Sequence, residues 1–339
     1  MIGLHKGQPI SITGMGVYVP ERVLTNDDLA KMVDTSDEWI VTRTGIRERR
    51  IAADDEATSD LCIPAAEHAL AAAGFEPGEL DLLIVATITP DMPFPATATA
   101  VADRLGATAA AAYDLSAGCT GFMYALSQAY SSIAAGFVRN ALVIGADTLS
   151  RVTDWSDRST CVLFGDGAGA VVLERVGEGG FLGFELGADG SGANALYMPA
   201  GGSRLPASSE TVASRQHFAK MNGREVFKFG TRILVSSAEA ILTACGKRVE
   251  DVDLYVPHQA NIRIIDHAAK KLGVPEDRVF VNVDRYGNTS SASIPLALAD
   301  AHEKGRLRDG TLVLMTGMGA GLTWGSSLMT WTGGKRDGH

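Results

Sequence analysis

The feature that most constrains the fold of this chain of 339 residues is an internal repeat. The segment AAEHALAAAGFEPGELDLLIVA, which begins at Ala65, resembles SAEAILTACGKRVEDVDLYVPH, which begins at Ser237, about 170 residues later. Both halves alternate strand and helix patterns, so each half should form a sheet covered by helices. The sequence therefore predicts a duplicated α/β protein, with one half over residues 1–175 and the other over residues 176–339.

Two glycine-rich stretches are predicted to be connections. The stretch from about Glu174 to Met221 is rich in Gly and Ser, which is typical of a link with loops. The motif GDGAG, from Gly165 to Gly169, resembles a nucleotide-binding loop, but such a loop should open a helix. Here CVLF precedes it and AVVLE follows it, and both are strand-like. We therefore expect a turn between two strands, and no redox cofactor is implied.

Composition excludes several classes of function. The formal net charge of −10 argues against general nucleic-acid binding, which needs a basic surface. No stretch reaches the ~18 uninterrupted apolar residues of a membrane span, and the first residues lack the apolar segment of a signal peptide, so a cytoplasmic location without membrane attachment is expected. The cysteines stand singly, which fits neither a zinc site nor a disulfide framework, and no metal is expected. They are Cys62, Cys119, Cys161 and Cys245.

The segment DLSAGCTGFMYAL places Cys119 at a bend between a strand-like pattern and a helical one. Apolar residues recur at helical spacing from Phe122 to Ile133, which predicts a helix over about Thr120 to Ala135. The N-terminus of a helix favours an anion, so we expect the pKa of the Cys119 thiol to be lowered. The flanking glycines allow backbone angles that a Cβ would resist. A buried core cysteine is the alternative, and it is preferred for the other three.

The second half supplies polar partners for this cysteine. Aligning VADRLGATAAAAYDLSAGCTGF with AAKKLGVPEDRVFVNVDRYGNTSS places Cys119 opposite Asn288, and a pseudo-twofold axis would bring both to one crevice. His258 follows an apolar strand, at the end where α/β sheets carry their chemistry, although a lone histidine is more often structural. A Cys–His–Asn set also occurs in papain-like proteases, but the duplicated α/β pattern does not fit that family.

Six segments, in this order, resemble the β-ketoacyl-acyl-carrier-protein synthase III family, whose members initiate type II fatty acid synthesis. They are TSDEWIVTRTGIRERRIA, DLSAGCTGF, FGDGAGAVVLE, VPHQANIRII, YGNTSSASIP and GAGLTWGS, and the resemblance covers nearly the whole chain. It implies a thiolase-like fold, in which two duplicated αβ halves form a five-layered αβαβα sandwich. It also implies an acyltransferase that condenses an acyl-CoA primer with malonyl-acyl-carrier protein through an acyl-cysteine, without a permanently bound cofactor.

The resemblance, taken motif by motif, implies a role for each site residue. Cys119 would accept the acyl group, and His258 with Asn288 would stabilise the enolate that decarboxylation produces. A second oxyanion site would use the backbone N–H groups of Cys119 and Ala320. The implied CoA-binding residues are Trp39, Arg43, Arg158 and Asn261. The residues implied for the acyl pocket are Phe94 and Met318. Those implied for docking of the carrier protein are Lys228, Arg263, Lys270 and Lys271, for which a solvated helix face is the alternative.

The loop GMGAGLTWG departs from the family pattern. Ala320 stands where a glycine is expected, but its backbone N–H is kept, so the oxyanion donor is expected to remain. Met318 stands where some relatives carry an aromatic residue, and because it would border the acyl pocket, the shape of that pocket stays open. The resemblance also implies a homodimer in which Phe94 reaches the partner's acyl tunnel. Two alternatives stay open. One is a related secondary-metabolite ketosynthase or acyltransferase that uses another acceptor, and the other is a non-enzymatic scaffold or acyl-CoA-sensing module.

Overall fold

The structure, a computed structural model, describes residues 1–5 and 7–333. The strands are β1 (Ile2–Leu4), β2 (Ile10–Tyr18), β3 (Val23–Thr25), β4 (Glu48–Arg50), β5 (Leu82–Ala86), β6 (Ala111–Leu115), β7 (Asn140–Asp147), β8 (Gly167–Arg175), β9 (Gly180–Ala188), β10 (Leu196–Tyr197), β11 (Lys220–Met221), β12 (Leu254–Pro257), β13 (Leu312–Gly319) and β14 (Thr323–Thr330). The α-helices are α1 (Asn26–Ala30), α2 (Asp37–Thr44), α3 (Thr58–Ala73), α4 (Thr97–Leu105), α5 (Gly121–Ala134), α6 (Arg158–Cys161), α7 (Ser209–Ala213), α8 (Gly223–Ala244), α9 (Ile262–Leu272), α10 (Val283–Tyr286) and α11 (Ser293–Glu303).

Two five-stranded sheets share the order of four of their strands. The first runs β2-β8-β7-β5-β6 and the second runs β1-β9-β14-β13-β12. The run β2-β8-β7-β5 of the first sheet corresponds to the run β9-β14-β13-β12 of the second. The repeat seen in the sequence therefore recurs in the topology. Beside β12, where the first sheet has β6, there is a single parallel bridge between Tyr255 and Val279. The predicted division after residue 175 falls at the end of β8, although β1 pairs with β9 in the second sheet.

Five layers follow from the way the apolar faces are buried. Helices α3 and α4 pack on the outer face of the first sheet, and α8 with α9 on the outer face of the second. The central core joins both sheets to α5 and α11, which lie between them, and it includes Phe122, Leu298, Val143 and Val313. Helices buried on both sides must be apolar all round, and α11 is buried over most of its length. The predicted five-layered αβαβα architecture is confirmed.

The local predictions had mixed outcomes. The helix expected after Cys119 is α5, within one residue at each end. The stretch from Glu174 to Met221, however, is more than a connection, because β9 lies inside the second sheet. The glycines in this stretch suggested loops, but at least one of them lies in a strand, where glycine permits close packing against a neighbouring side chain. A Cβ at Gly187 would come within 2.2 Å of the Trp324 ring.

The segment CVLF, ahead of GDGAG, is likewise not a strand. Cys161 ends α6, a turn follows, and Phe164 forms one isolated bridge to Asn288. The one strand here is β8, which begins at Gly167, inside the motif, so the expected turn between two strands is absent. The pattern was misread because a short apolar run, buried here among residues of distant segments, looks the same as a strand in the sequence.

Candidate active site

The bend at Cys119 requires the glycine before it. Gly118 has φ +58°, a conformation that residues with a Cβ rarely adopt. A Cβ at Gly118 would also lie 2.7 Å from both the N and the O atom of Ala320. The glycine therefore lets the loop after β13 approach the nucleophile bend closely. As a result, the backbone around Ala320 lies beside Cys119, as the expected second oxyanion site requires.

The expectation of a lowered thiol pKa at Cys119 is wrong for the unliganded protein. Burial raises the pKa of the Cys119 thiol to about 11, and the negative charge of Asp147 adds to the increase. The Ser290 hydroxyl and the backbone N–H of Cys119 act in the opposite direction. Desolvation of the thiolate outweighs the favourable position before α5 because the side chain is almost fully buried.

His258 lies at the end of β12, as predicted, and it is held on both sides. Its backbone N–H donates to the Thr316 carbonyl at 2.7 Å, and its Nδ1 atom lies 2.5 Å from Ser293 Oγ. Burial lowers the pKa of His258 to about 4, so the ring is neutral near pH 7. If Nδ1 accepts a hydrogen bond from Ser293, the proton of the neutral ring lies on Nε2, which then becomes a donor.

Asn288 is fixed through its backbone to the segment after α6. Its N–H donates to the Leu163 carbonyl at 2.8 Å, and its carbonyl accepts from the Gly165 N–H at 3.0 Å. The side-chain Oδ1 accepts from the Ser290 N–H at 2.9 Å. Within the described residues this leaves the Nδ2 group of Asn288 as a free donor.

A channel of about 400 Å³ brings the predicted catalytic residues together. Cys119, His258 and Asn288 all line it. A second, apolar cavity of about 200 Å³ lies beyond them, and Cys119 lines this cavity too. Phe164 and Leu196 also line both spaces. The cysteine thus stands between a channel from the surface and an apolar cavity, which is the position required to pass an acyl group from one to the other.

Three of the four residues expected to bind CoA line the same channel. Trp39 and Arg43 line it. The Trp39 ring carries two guanidinium groups, with Arg43 at 4.9 Å and Arg158 at 5.0 Å from its centroid. Asn261 also lines the channel, but its side chain caps α9 through Arg263 N and donates to the Arg43 carbonyl. Its polar atoms therefore already have structural partners.

The two residues expected at the acyl pocket lie elsewhere in this chain. Met318 lines the channel rather than the apolar cavity, and Phe94 is 84% exposed, on the loop after β5. Ala320, by contrast, lines the apolar cavity. Its other lining residues are Ile88, Leu149, Val152, Phe164, Leu196, Tyr197, Met198 and Ala219. Sequence reasoning missed these because they come from separated segments, and none carries a chemical signal of its own.

The four residues expected to dock the carrier protein are all exposed. Of these, Arg263 lines the channel, and its guanidinium lies 5.3 Å from the Phe227 ring centroid. Lys270 and Lys271 lie in the last turn of α9, and Lys228 lies on α8. Arg224, which sequence reasoning missed, is a further exposed cation on the channel wall. Its position four residues before Lys228 on one helix could have suggested it.

Comparison with known proteins decides the family. A family model described as 3-oxoacyl-acyl-carrier-protein (ACP) synthase III matches residues 113–190, and its C-terminal counterpart matches residues 242–331. The beta-ketoacyl-acyl-carrier-protein synthase III of Symbiobacterium thermophilum is 58% identical over 327 residues, which are 96% of this chain and 99% of that relative. The chain belongs to the β-ketoacyl-acyl-carrier-protein synthase III family.

Solved structures of the synthase III family have the same fold. The 3-oxoacyl-acyl-carrier-protein synthase III of Aquifex aeolicus VF5 has a TM-score of 0.88 at 48% identity, covering 95% of this chain and all (100%) of that one. The priming beta-ketosynthase of the R1128 polyketide biosynthetic pathway also has a TM-score of 0.88, at 38% identity, covering 97% and 99%. The thiolase-like fold predicted from the sequence is confirmed.

Family membership confirms the activity expected from the sequence. This member of the synthase III family is an acyl-transferring condensing enzyme that initiates type II fatty acid synthesis, joining an acyl-CoA to malonyl-acyl-carrier protein. Among the described residues, no helix is both long and apolar enough to span a membrane. No cluster of three or more potential metal-binding side chains occurs in that part of the chain either.

Proposed function

We propose that Cys119 carries the acyl group between the two half-reactions. The observation that supports this most directly is its position between the channel and the apolar cavity. The thiolate attacks the acyl-CoA thioester, the C–S bond to CoA breaks, and the thiol proton ends on the CoA sulfur. The acyl chain then lies in the apolar cavity while CoA leaves through the channel. A covalent intermediate divides one difficult exchange into two easier steps.

The second half-reaction is assigned to His258 and Asn288. Malonyl-acyl-carrier protein loses CO₂, and the electron pair of the broken C–C bond forms a thioester enolate. A neutral His258 Nε2–H and the Asn288 Nδ2 group donate to the enolate oxygen, while the backbone N–H groups of Cys119 and Ala320 are proposed to bind the oxygen of the acyl thioester. The enolate carbon attacks that thioester, and Cys119 leaves as a thiolate.

Binding of CoA is assigned to residues that line the channel and to Arg158, which lies beside Trp39. The indole of Trp39 and the guanidinium groups of Arg43 and Arg158 suit adenine stacking and phosphate binding. Since Arg158 already covers the Trp39 ring, a base that stacks there would displace it. Asn261 is assigned to the pantetheine arm through its position on the channel wall.

Further proposals concern docking of the carrier protein, the oligomeric state, the substrates and the cellular location. Arg263 with Lys228, Lys270 and Lys271 is assigned to docking of the acidic carrier protein. We infer a homodimer in which Phe94 reaches the partner's acyl tunnel. Met318, on the channel wall, is assigned to the border of the acyl pocket. The proposed substrates are acyl-CoA and malonyl-acyl-carrier protein, and no permanently bound cofactor is proposed. The cytoplasmic location stays a prediction.

Intact-mass analysis with separate half-reaction assays tests the residue assignments. The wild-type chain should gain one acyl mass from acyl-CoA, and peptide mapping should place it on Cys119 rather than on Cys62, Cys161 or Cys245. Cys119→Ser should lose condensation. His258→Ala and Asn288→Ala should each slow malonyl decarboxylation by about 10²–10³, the usual cost of one oxyanion donor. Both should still be acylated at a measurable rate. Near-wild-type condensation in both variants would reject their role.

A second candidate function is favoured by one of the structural similarities. The R1128 relative is a priming ketosynthase of a polyketide pathway at 38% identity, so the same acyl-cysteine could serve another acceptor. Condensation with a panel of malonyl-carrier proteins, from fatty acid and polyketide systems, separates the two functions. Preference for the fatty acid carrier would reject this second function, and preference for the polyketide carrier would support it.

A further inference from the structure

Ser290 has an unfavourable backbone conformation at the centre of the site. Its φ is +52°. Among the described residues that are not glycine, only Ser290 and Arg215 have a positive φ. Residues with a Cβ adopt this conformation at a cost that glycine avoids, and such conformations concentrate at functional sites. Ser290 is also fully buried. Glycine would avoid this cost, so the presence of serine indicates that its side chain has a function that glycine could not supply.

The hydroxyl of Ser290 lacks the partners that its neighbours have. Ser291 Oγ lies 2.7 Å from Asp147 Oδ2 and 2.8 Å from the Ala86 carbonyl, and Ser293 Oγ lies 2.5 Å from His258 Nδ1. Ser290 Oγ makes no hydrogen bond of ordinary geometry to any described residue. Burying a hydroxyl without a partner is unfavourable, so neither the conformation nor the side chain of Ser290 is explained by folding alone.

The segment that carries this hydroxyl packs against the segment that carries the nucleophile, because a Cβ at Gly121, two residues after Cys119, would lie 3.7 Å from the Cβ of Ser291. The Ser290 hydroxyl acts on the Cys119 thiol and lowers its pKa, against the effects of burial and of Asp147. Asp147 at the end of β7 is the negative charge that opposes thiolate formation, and His258, which faces the channel from the end of β12, is neutral near pH 7. Neither supplies a positive charge, so a hydroxyl donor is the main side-chain support for the thiolate.

We propose that Ser290 is a positioning and donor residue for the Cys119 thiolate, which its hydroxyl stabilises in both half-reactions. This rests on the proposed role of Cys119 as the acyl carrier. When the Cys119 thiol loses its proton, the O–H turns to donate to the sulfur, and the thiol proton is passed to the CoA sulfur on acylation. A thioester sulfur accepts poorly, so the hydrogen bond weakens in the acyl-enzyme. It forms again when the C–S bond breaks during condensation and the electron pair returns to sulfur.

Ser290→Gly and Ser290→Ala form a matched pair of variants that test this. Both remove the hydroxyl, and both keep the backbone N–H that donates to Asn288 Oδ1. Only the glycine variant removes the strain at φ +52°. We expect Ser290→Gly to unfold at the wild-type temperature or above it, and Ser290→Ala to unfold no higher than wild type.

The decisive readout is the pH profile of Cys119 alkylation by iodoacetamide, followed on the Cys119 peptide alone. Loss of a hydrogen bond to a charged group should shift the profile of both variants upward by about one pH unit, so alkylation at pH 8 slows about tenfold. Acylation by acyl-CoA should slow in parallel. Malonyl decarboxylation, measured in a Cys119→Ala background, should change less than about twofold on adding Ser290→Gly.

Two outcomes would separate failure of this inference from failure of the proposed function. If wild-type Cys119 is acylated normally and both variants keep the wild-type alkylation profile, Ser290 has only a structural role. If wild-type Cys119 is not acylated by any acyl-CoA, the proposed function fails first, whatever the alkylation profiles are. A stable Ser290→Gly protein with a less reactive thiol is the result that supports the inference.

Discussion

Ser293 Oγ lies 2.5 Å from His258 Nδ1, and this contact occupies one of the two ring nitrogens of the histidine. Ser293 is the first residue of α11, whereas His258 follows β12, so the contact joins two elements that are separate in sequence. A hydroxyl that donates to Nδ1 places the ring proton on Nε2. The channel-facing nitrogen can then donate to a developing enolate without carrying a full positive charge.

Ser293→Ala should therefore slow decarboxylation without impairing acylation. One neutral hydrogen bond contributes about 1 kcal/mol, so we expect a loss of roughly five- to tenfold in malonyl decarboxylation. Acylation of Cys119 should stay within about twofold of wild type. The two rates can be measured separately with acyl-CoA alone and with malonyl-carrier protein alone. Equal losses in both would mean that Ser293 only supports the fold.

The pH dependence of unfolding should report the buried His258. The folded pKa of about 4 lies below the ordinary value of 6.5, so the unfolded chain takes up the proton first as the pH falls. The contribution is fully present above pH 6.5 and is lost toward pH 4, with roughly 2 kcal/mol lost between pH 6.5 and 5. Urea unfolding of wild type and His258→Gln measures it, because the variant lacks this group. Parallel stability curves for the two proteins would contradict the lowered pKa.

Charge reversal on α9 should affect only the half-reaction that uses the carrier protein. Arg263→Glu with Lys271→Glu should raise the KM for malonyl-carrier protein, since the carrier is acidic and the chain itself has a net charge of −10. Acylation by acyl-CoA should hardly change. Wild-type affinity for the carrier should fall with added salt, because exposed charges are screened beyond about 10 Å at 0.1 M.

Lys247→Glu is the matched control for these reversals, because Lys247 is an exposed cation just beyond the far end of α8. It should leave both half-reactions unchanged. A carrier KM that rises as much in Lys247→Glu as in the α9 variant would assign the effect to net charge rather than to a docking site.

Phe94 should matter for assembly and primer choice, whereas an equally exposed phenylalanine should not. Phe94 is 84% exposed and Phe137 is 83% exposed. If Phe94 lies at a dimer interface and closes the partner's acyl tunnel, Phe94→Ala should weaken the dimer and widen the range of acyl-CoA primers accepted. Phe137→Ala should do neither. Light scattering and an acyl-CoA panel measure both effects, and a stable, active wild-type monomer would refute the prediction.

Much of the fold could be predicted because it depends on patterns that are local in sequence. The helix after Cys119 and the strand before His258 were expected from apolar spacing, and the repeat required two similar sheets. Gly187 marks where local reasoning stopped. The glycine-rich segment around it suggested a loop, yet Gly187 belongs to β9, a strand inside the second sheet. Glycine is needed there because Trp324, on the neighbouring strand β14, leaves no room for a Cβ.

The sequence by itself determined the α/β duplication and the family, and it singled out Cys119, His258 and Asn288 as candidates, because these inferences rest on periodicity and on ordered motifs. Only the tertiary structure decided the electrostatics and the shape of the site. The raised pKa of Cys119 depends on burial and on Asp147, and the apolar cavity is assembled from residues between Ile88 and Ala320. The unpartnered hydroxyl of Ser290 is likewise visible only in three dimensions. Desolvation, cavity volume and hydrogen-bond partners arise from contacts between distant segments, and local sequence patterns do not encode them.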